Sequence, residues 1–250
     1  MAEGFVPYCG VAPAPGQEVW NLDPHLLTGL LATLAAGVVL IGRVRERRGD
    51  LAFFVSGWLI LALAFVSPLC SVSVALFSAR TVQHMVLTLV AAPLVVRGLL
   101  GSLCGRQEIG GKIALIVVIA FTVVFWFWHS PSAYDETLEN NLAYGLMHAT
   151  LFGAALVLSV AVFRAPGRLA FSIVLAIGLQ MSLLAALLTF ATAPFYRVHE
   201  LTTVAWGLTG LEDQQLGGLL MWIPSGLLLV LCSTVTLPPR RRGGETRFTI

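Results

Sequence analysis

Long runs of apolar residues, separated by short polar segments, dominate the chain. A helix rises ~1.5 Å per residue and the hydrocarbon core of a bilayer is about 30 Å thick, so a spanning helix needs roughly 17–25 mostly apolar residues. The pattern indicates an all-α fold, a polytopic seven-transmembrane-helix bundle that forms one integral domain over residues 1–250. The predicted spans lie near residues 22–41, 51–69, 78–100, 112–129, 142–163, 169–193 and 214–237.

Composition supports a membrane protein. Apolar residues make up 57% of the chain and charged residues only 11%, against roughly 25% charged residues in a soluble domain. The charge deficit excludes a water-soluble globular enzyme. The absence of a broad Lys/Arg-rich run argues against nucleic acid as a partner, and membrane lipid is the partner we expect instead. The segment Met1–Trp20 lacks the basic start of a signal peptide, so we expect a short mature tail.

The distribution of basic residues predicts the orientation. Thirteen of the 15 Lys and Arg residues fall in the first, third and fifth connections and the C-terminal tail, and the other two are Arg80 and Arg197. Because cytoplasmic connections are enriched in basic residues, the N-terminus is expected outside and the C-terminus in the cytoplasm.

The cysteines exclude two common motifs. Cys9, Cys70, Cys104 and Cys232 lie far apart without a CxxC sequence, so neither a zinc finger nor a thioredoxin-like site is expected. Cys9 and Cys70 both fall on the predicted outer side, where the alternatives for them are to form a disulfide or to supply a thiolate ligand. We expect unpaired structural cysteines there.

All five histidines fall in the predicted outer half of the bundle. An ionisable side chain inside a span is costly and needs a structural or functional reason. The depth of each residue along its helix places His84 and His148 in one layer, with Met85, Met147 and Met221 at similar levels, whereas His129 and Asp213 lie nearer the surface. The histidines of the chain are His25, His84, His129, His148 and His199.

Imidazole and thioether groups together suit copper, and thioether favours Cu(I). The predicted metal ligands are His84, His129, His148, Met85, Met221 and Asp213. The alternative for each histidine is an interhelical hydrogen bond, and the methionines taken singly are more typical of packing.

Several motifs carry a resemblance to a known family. They are Gln83-His84-Met85, Trp128-His129-Ser130-Pro131 followed by Tyr134-Asp135, His148, and the run from Asp213-Gln214 to Met221-Trp222-Ile223-Pro224. In order and spacing they resemble the membrane-embedded CtaG family of cytochrome c oxidase assembly factors, from about Leu22 to Leu237. The motif residues Gln83, Gln214, Tyr134 and Asp135 are therefore further site candidates.

The resemblance implies a non-enzymatic assembly factor for a haem-copper oxidase, acting with oxidase subunits at the step that supplies copper. It also implies a multi-pass location in a bacterial inner membrane, with the histidines on the periplasmic side. An oxidase as partner follows from the resemblance alone.

One position departs from the family pattern His-x-x-Gln-His, because this chain reads Arg80-Thr81-Val82-Gln83-His84. Positions i and i+4 share a helix face, so the family would present two imidazoles where this chain presents a guanidinium and one imidazole. A guanidinium cannot bind a metal. Its charge opposes a cation unless Asp213, Asp135 or Glu212 neutralises it. Either a weaker transfer site remains or the protein is a cofactor-free scaffold subunit.

A haem-binding electron carrier is a further alternative, with His84 and His148 on either side of one haem. An intramembrane hydrolase is disfavoured, because the chain has neither an HExxH nor a GxSxG sequence.

Overall fold

The computed structural model describes residues 5–43, 48–103 and 108–236, and within these ranges the chain is helical without strands. The α-helices are α1 (Pro24–Arg43), α2 (Arg48–Val66), α3 (Pro68–Ala75), α4 (Phe77–Met85), α5 (Ala92–Leu103), α6 (Gly111–Trp128), α7 (Pro131–Glu139), α8 (Asn141–Arg164), α9 (Gly167–Thr189) and α10 (Gly210–Thr236). A π-helical segment, Val86–Ala91, joins α4 to α5.

Most of the predicted spans correspond to long apolar helices. Five single helices are long and apolar enough to cross a membrane: α1, the continuous α4–α5, α6, α8 and α9. The bent pair α2–α3 makes a sixth. Helix α10 covers the seventh predicted span, but the count of seven spans and the orientation of the termini stay predictions. Arg45, Arg47, Arg106, Cys104 and the C-terminal arginines lie outside the described residues.

The second predicted span is interrupted at a proline. Ser67 caps α3, accepting a hydrogen bond from the Leu69 N–H at 3.3 Å, and Pro68 is the first helical residue. Proline lacks the N–H that would continue the α2 ladder, so the chain bends by 51° at this point. The short helices α3 and α7 each begin at a proline and lie at the same end of the bundle. The span predictions had missed both.

The third predicted span contains the π-helical segment directly after His84 and Met85. A π segment inside a helix widens one turn, and such segments are often found at functional sites. The Thr88 hydroxyl donates to the His84 carbonyl oxygen at 2.7 Å, and Pro93 follows the wide turn. The helix is therefore irregular where the candidate site lies.

The expectation of unpaired cysteines is wrong, because Cys9 and Cys70 form a disulfide. The bridge ties the N-terminal segment to α3 and is buried among Leu138, Tyr144 and Met147. The segment also contacts the last connection, where the Trp206 indole donates to the Pro13 carbonyl oxygen at 2.9 Å. The predicted tail is thus packed onto the bundle from Phe5 onwards.

The two ends of the bundle carry different ionisable residues. The histidine half contains the start of α4, α8 and α10, together with α3, α7 and the connection of residues 190–209. The arginine half is the opposite end, where Arg43, Arg97, Lys112, Arg164 and Arg168 lie.

Candidate functional site

Three histidines from three different helices meet inside the histidine half. His84 lies on α4, His129 ends α6, and His148 lies two turns into α8. The His84 ring centroid is 5.1 Å from that of His148 and 6.3 Å from that of His129. All three side chains are buried, with 7–9% of their surface exposed. The predicted convergence of His84 and His148 is present, and His129 lies with them.

Hydrogen bonds orient two of the rings. A carbonyl oxygen only accepts, so His148 donates from Nδ1 to the Tyr144 oxygen at 3.0 Å and His129 donates from Nδ1 to the Phe125 oxygen at 2.7 Å. Their Nε2 atoms are then lone-pair acceptors in the neutral ring. Nε2 of His148 and Nε2 of His84 are buried without a hydrogen-bond partner. Because buried polar atoms are nearly always paired, these two nitrogens are the candidate ligands for a bound ion.

Methionine sulfurs surround the same point. A cavity of about 20 Å³ is lined by His84 and His129 and by three methionines, Met85, Met181 and Met221. It has room for one atom or ion of the size of a water molecule. Met147 lies instead in the apolar cluster around the disulfide. Met181 is not among the ligands predicted from the sequence, and its place in the cavity lining depends on how α9 packs against α4 and α10.

The histidine cluster is not a complete metal site by itself. Within the described ranges, no group of three or more His, Cys, Asp or Glu side chains is arranged to hold a metal ion. His84 and His129 line the cavity, and His148 is next to them but not among the lining residues. Any ion held here therefore depends on imidazoles supplemented by the methionine thioethers.

Asp213 does not reach the cavity. Its carboxylate accepts hydrogen bonds from the Phe77 N–H at 2.6 Å, from the Ser78 N–H at 3.2 Å and from the Ser78 hydroxyl. These are the first amides of α4, and the residue before them, Leu76, has no side chain able to cap a helix. Asp213 on α10 thus caps α4, although the two residues involved are more than 130 positions apart in the sequence. The structure gives no support to Asp213 as a metal ligand.

Arg80 is fully buried one turn before His84. Its Nη1 donates to the Thr137 hydroxyl at 2.7 Å, and its guanidinium lies 5.3 Å from the Tyr134 ring centroid and 5.5 Å from that of Tyr144. Nε and Nη2 have no hydrogen-bond partner. No carboxylate of the described residues forms an ion pair with it, so Asp213, Asp135 and Glu212 do not neutralise it by direct contact.

A second polar network connects α7 to the last connection. His199 donates from Nδ1 to the Ala75 oxygen at 3.2 Å and accepts from the Tyr134 hydroxyl at Nε2, 2.8 Å away. Burial, assisted by the Arg80 charge, lowers the pKa of His199 to about 3. Burial raises the pKa of Asp135, although the Arg197 and Val198 amides that bond to it act in the opposite direction.

The two glutamines hold helices together. Gln83 donates from its amide to the Ala64 oxygen of α2 at 2.7 Å. Gln214 accepts from the Phe195 N–H at 2.6 Å and donates to the Leu188 oxygen of α9 at 3.3 Å. The two glutamines therefore join neighbouring helices, and none of Tyr134, Asp135, Gln83 and Gln214 lines the cavity.

Tyr144 is a residue that sequence reasoning missed. Its hydroxyl is 3.1 Å from Cys9 Sγ, its ring stacks on Tyr8 with centroids 5.4 Å apart, and its carbonyl holds His148. Tyr144 lies four residues before His148, so it was identifiable as a neighbour on the same helix face.

Comparison with known proteins identifies the family. The family model described as cytochrome c oxidase caa3 assembly factor (Caa3_CtaG) matches residues 35–106 and 113–238. No curated protein and no solved structure gives a match. The matched ranges cover most of the chain and include Arg80, the three clustered histidines and Met221, and the chain therefore belongs to the family of cytochrome c oxidase caa3 assembly factors.

Proposed function

We propose that this assembly factor carries a Cu(I) ion in the histidine half of its bundle and passes it to an oxidase subunit. The observation that carries the proposal is the pair of partnerless Nε2 atoms on His84 and His148, beside a cavity lined by three thioethers. Copper is the cargo in this proposal and not a resident cofactor.

The donor set fits a soft monovalent ion. Neutral imidazole and thioether suit Cu(I), whereas hard divalent ions prefer carboxylate oxygens, which the cavity lining lacks. His84 and His148 would supply the nitrogen ligands, with His129, Met85, Met181 or Met221 completing the set. The Nδ1 bonds of His129 and His148 to backbone oxygens fix the tautomer that leaves Nε2 free for the ion.

The disulfide supports a periplasmic position for this site. Disulfides persist in oxidising compartments, and Cys9–Cys70 lies in the histidine half. The excess of Lys and Arg at the other end argues for the same orientation, because positive charge favours the cytoplasmic side. The two arguments are independent of each other.

A cofactor-free scaffold is the second candidate, favoured by the buried charge of Arg80 beside the histidines. In that case the protein assists the oxidase by contact alone. The haem alternative is disfavoured, because a cavity of about 20 Å³ is far smaller than a porphyrin.

The decisive experiment measures Cu(I) binding to the detergent-purified protein by competition with a chromophoric Cu(I) chelator under anaerobic conditions. We expect about one Cu(I) per chain and loss of this binding in the double variant His84→Ala/His148→Ala, because both partnerless nitrogens are removed. The control is His25→Ala, at an exposed histidine outside the cluster, which should bind as the wild type does.

Unchanged binding in the double variant would overturn the site. A wild-type protein that binds no Cu(I), yet is required for oxidase assembly in cells, would establish the scaffold alternative. The copper content of oxidase isolated from cells that express the double variant provides the cellular readout, and we expect assembled oxidase that is deficient in copper.

A further inference from the structure

The charge of Arg80 lies beside the histidine cluster. Arg80 and His84 are four residues apart on α4 and share a helix face. The guanidinium and the His148 ring both contact the Tyr144 ring, at 5.5 Å and 4.3 Å from its centroid. It is 0% exposed, so water does not screen it as it would a surface arginine.

The nearest acidic groups do not cancel this charge at the cavity. Asp213 caps α4 at Phe77 and Ser78, on the side of Arg80 that is remote from His84. Asp135 accepts from the amides of the connection of residues 190–209 and is not paired with Arg80. Among the described residues, no carboxylate therefore cancels the charge of Arg80 by direct contact.

The immediate partners of Arg80 disperse its charge without neutralising it. The faces of Tyr134 and Tyr144 and the hydroxyl of Thr137 offer partial negative charge to the guanidinium. A fixed cation with only neutral partners repels a second cation in proportion to that cation's charge. The cavity ligands are themselves neutral, so nothing in the lining offsets the repulsion.

We propose that Arg80 is a specificity-determining residue that makes the site selective for monovalent over divalent soft metal ions. This inference rests on the proposed function, since it concerns the ion carried by the same histidines and methionines. Arg80 disfavours every cation to some extent, but it disfavours a divalent ion twice as strongly. The same repulsion limits the affinity for Cu(I), as a protein that must release its cargo requires.

Coulomb's law gives the size of the effect. The Tyr144 ring contacts both groups, which places the guanidinium within about 10 Å of the His148 ring. For unit charges about 6–10 Å apart and an effective dielectric constant of about 20, each additional charge on the ion weakens binding roughly 15- to 100-fold. We therefore expect a contribution of Arg80 to selectivity of about 10- to 100-fold.

The test uses Ag⁺ and Cd²⁺, two soft ions with the same closed-shell electron configuration that differ in charge. Their dissociation constants are measured by competition for the purified protein in detergent. In Arg80→Gln, we expect the preference for Ag⁺ over Cd²⁺ to fall by about 10- to 100-fold. Arg97→Gln removes an exposed charge from the arginine half and should change nothing.

A second variant keeps Arg80 in place. Thr137 accepts from Arg80 Nη1 at 2.7 Å, so Thr137→Asp would pair the guanidinium with a carboxylate. The preference for Ag⁺ should fall here as well, which keeps the proposal testable if Arg80→Gln does not fold. An unchanged preference in Arg80→Gln or in Thr137→Asp would overturn the role of charge. Failure of the wild type to bind Ag⁺ or Cu(I) would instead refute the proposed function.

Discussion

The two ends of the bundle are stabilised by different interactions. Of the 15 buried polar side chains among the described residues, all except Ser159 lie in the histidine half. There, helices are connected by side chains such as Asp213, Gln214 and His199, which bond to backbone groups of distant segments. Close packing at glycine occurs in both halves, since a Cβ on Gly57 would lie 2.7 Å from the Val95 nitrogen and one on Gly218 would lie 2.8 Å from the Ala185 oxygen. In the arginine half this packing is not accompanied by buried polar side chains other than Ser159, among the described residues.

The two ends differ in how many polar groups they bury. Buried polar groups stabilise a structure only when they are paired, whereas small residues allow close helix packing without polar atoms. The histidine half leaves nitrogens of His84, His148 and Arg80 without partners. Atoms of Gln83, Asp135 and Thr189 are also unpaired there. The two histidine Nε2 atoms differ from these because they belong to rings whose centroids are 5.1 Å apart, and such a cluster of unpaired nitrogens is typical of a binding site.

The largest effect should come from the disulfide, which belongs to the histidine half. Cys9→Ser/Cys70→Ser opens a loop of 61 residues, and the entropy gained by the unfolded chain should lower the free energy of unfolding by about 3–4 kcal/mol. Chemical unfolding in detergent measures it. A dithiol reductant should destabilise the wild type and leave the double variant unaffected. Equal sensitivity of both proteins would contradict the bridge.

The next largest effect should follow from Asp213→Asn. The amide replaces one of the two accepting oxygens with an NH2 donor, so either the Phe77 or the Ser78 N–H group loses its acceptor. We expect a loss of about 2–3 kcal/mol, because a buried donor is left unpaired and the charge of the acceptor is removed. Hydrogen exchange at the start of α4 should accelerate, because the amides lose their cap. Glu212→Gln, at an exposed neighbour, is the control and should show a smaller loss.

A glycine substitution tests the arginine half. A Cβ on Gly98 would lie 2.5 Å from the Phe54 nitrogen and 2.6 Å from the Asp50 oxygen, so Gly98→Ala should force α2 and α5 apart. We expect a loss of about 2 kcal/mol, measured by unfolding in detergent. Gly29→Ala has open space around its Cβ and should be neutral. Neutrality at Gly98 as well would contradict the close packing of α2 against α5.

The smallest effect concerns pH. The pKa of His199 is about 3 in the fold and about 6.5 in an unfolded chain, so the unfolded state binds the proton first and stability falls as pH decreases below about 6.5. Between pH 7 and pH 5.5 His199 should contribute a loss of about 1 kcal/mol. His199→Gln should lack this component, and Tyr134→Phe, which removes the hydroxyl bonded to Nε2, should retain it. Identical pH profiles for wild type and His199→Gln would exclude it.

Much of the fold follows from hydrophobic runs alone. The spans near residues 22–41, 112–129 and 142–163 correspond closely to α1, α6 and α8, because a membrane helix needs an uninterrupted apolar stretch of fixed length. The points at which the helices are interrupted were harder to predict from the sequence. The bend at Ser67–Pro68 and the separate helix α7 depend on how prolines lie among partners from other helices.

The sequence by itself determined the membrane class, the positions of the apolar helices and the concentration of histidines at one end, because these are properties of residue order and composition. Only the tertiary structure decided which polar side chains are already satisfied. Asp213 caps a helix that begins 136 residues earlier, Cys9 is bonded to Cys70, and Met181 joins the cavity. Each of these depends on contacts between segments distant in sequence, and local pattern does not encode such contacts.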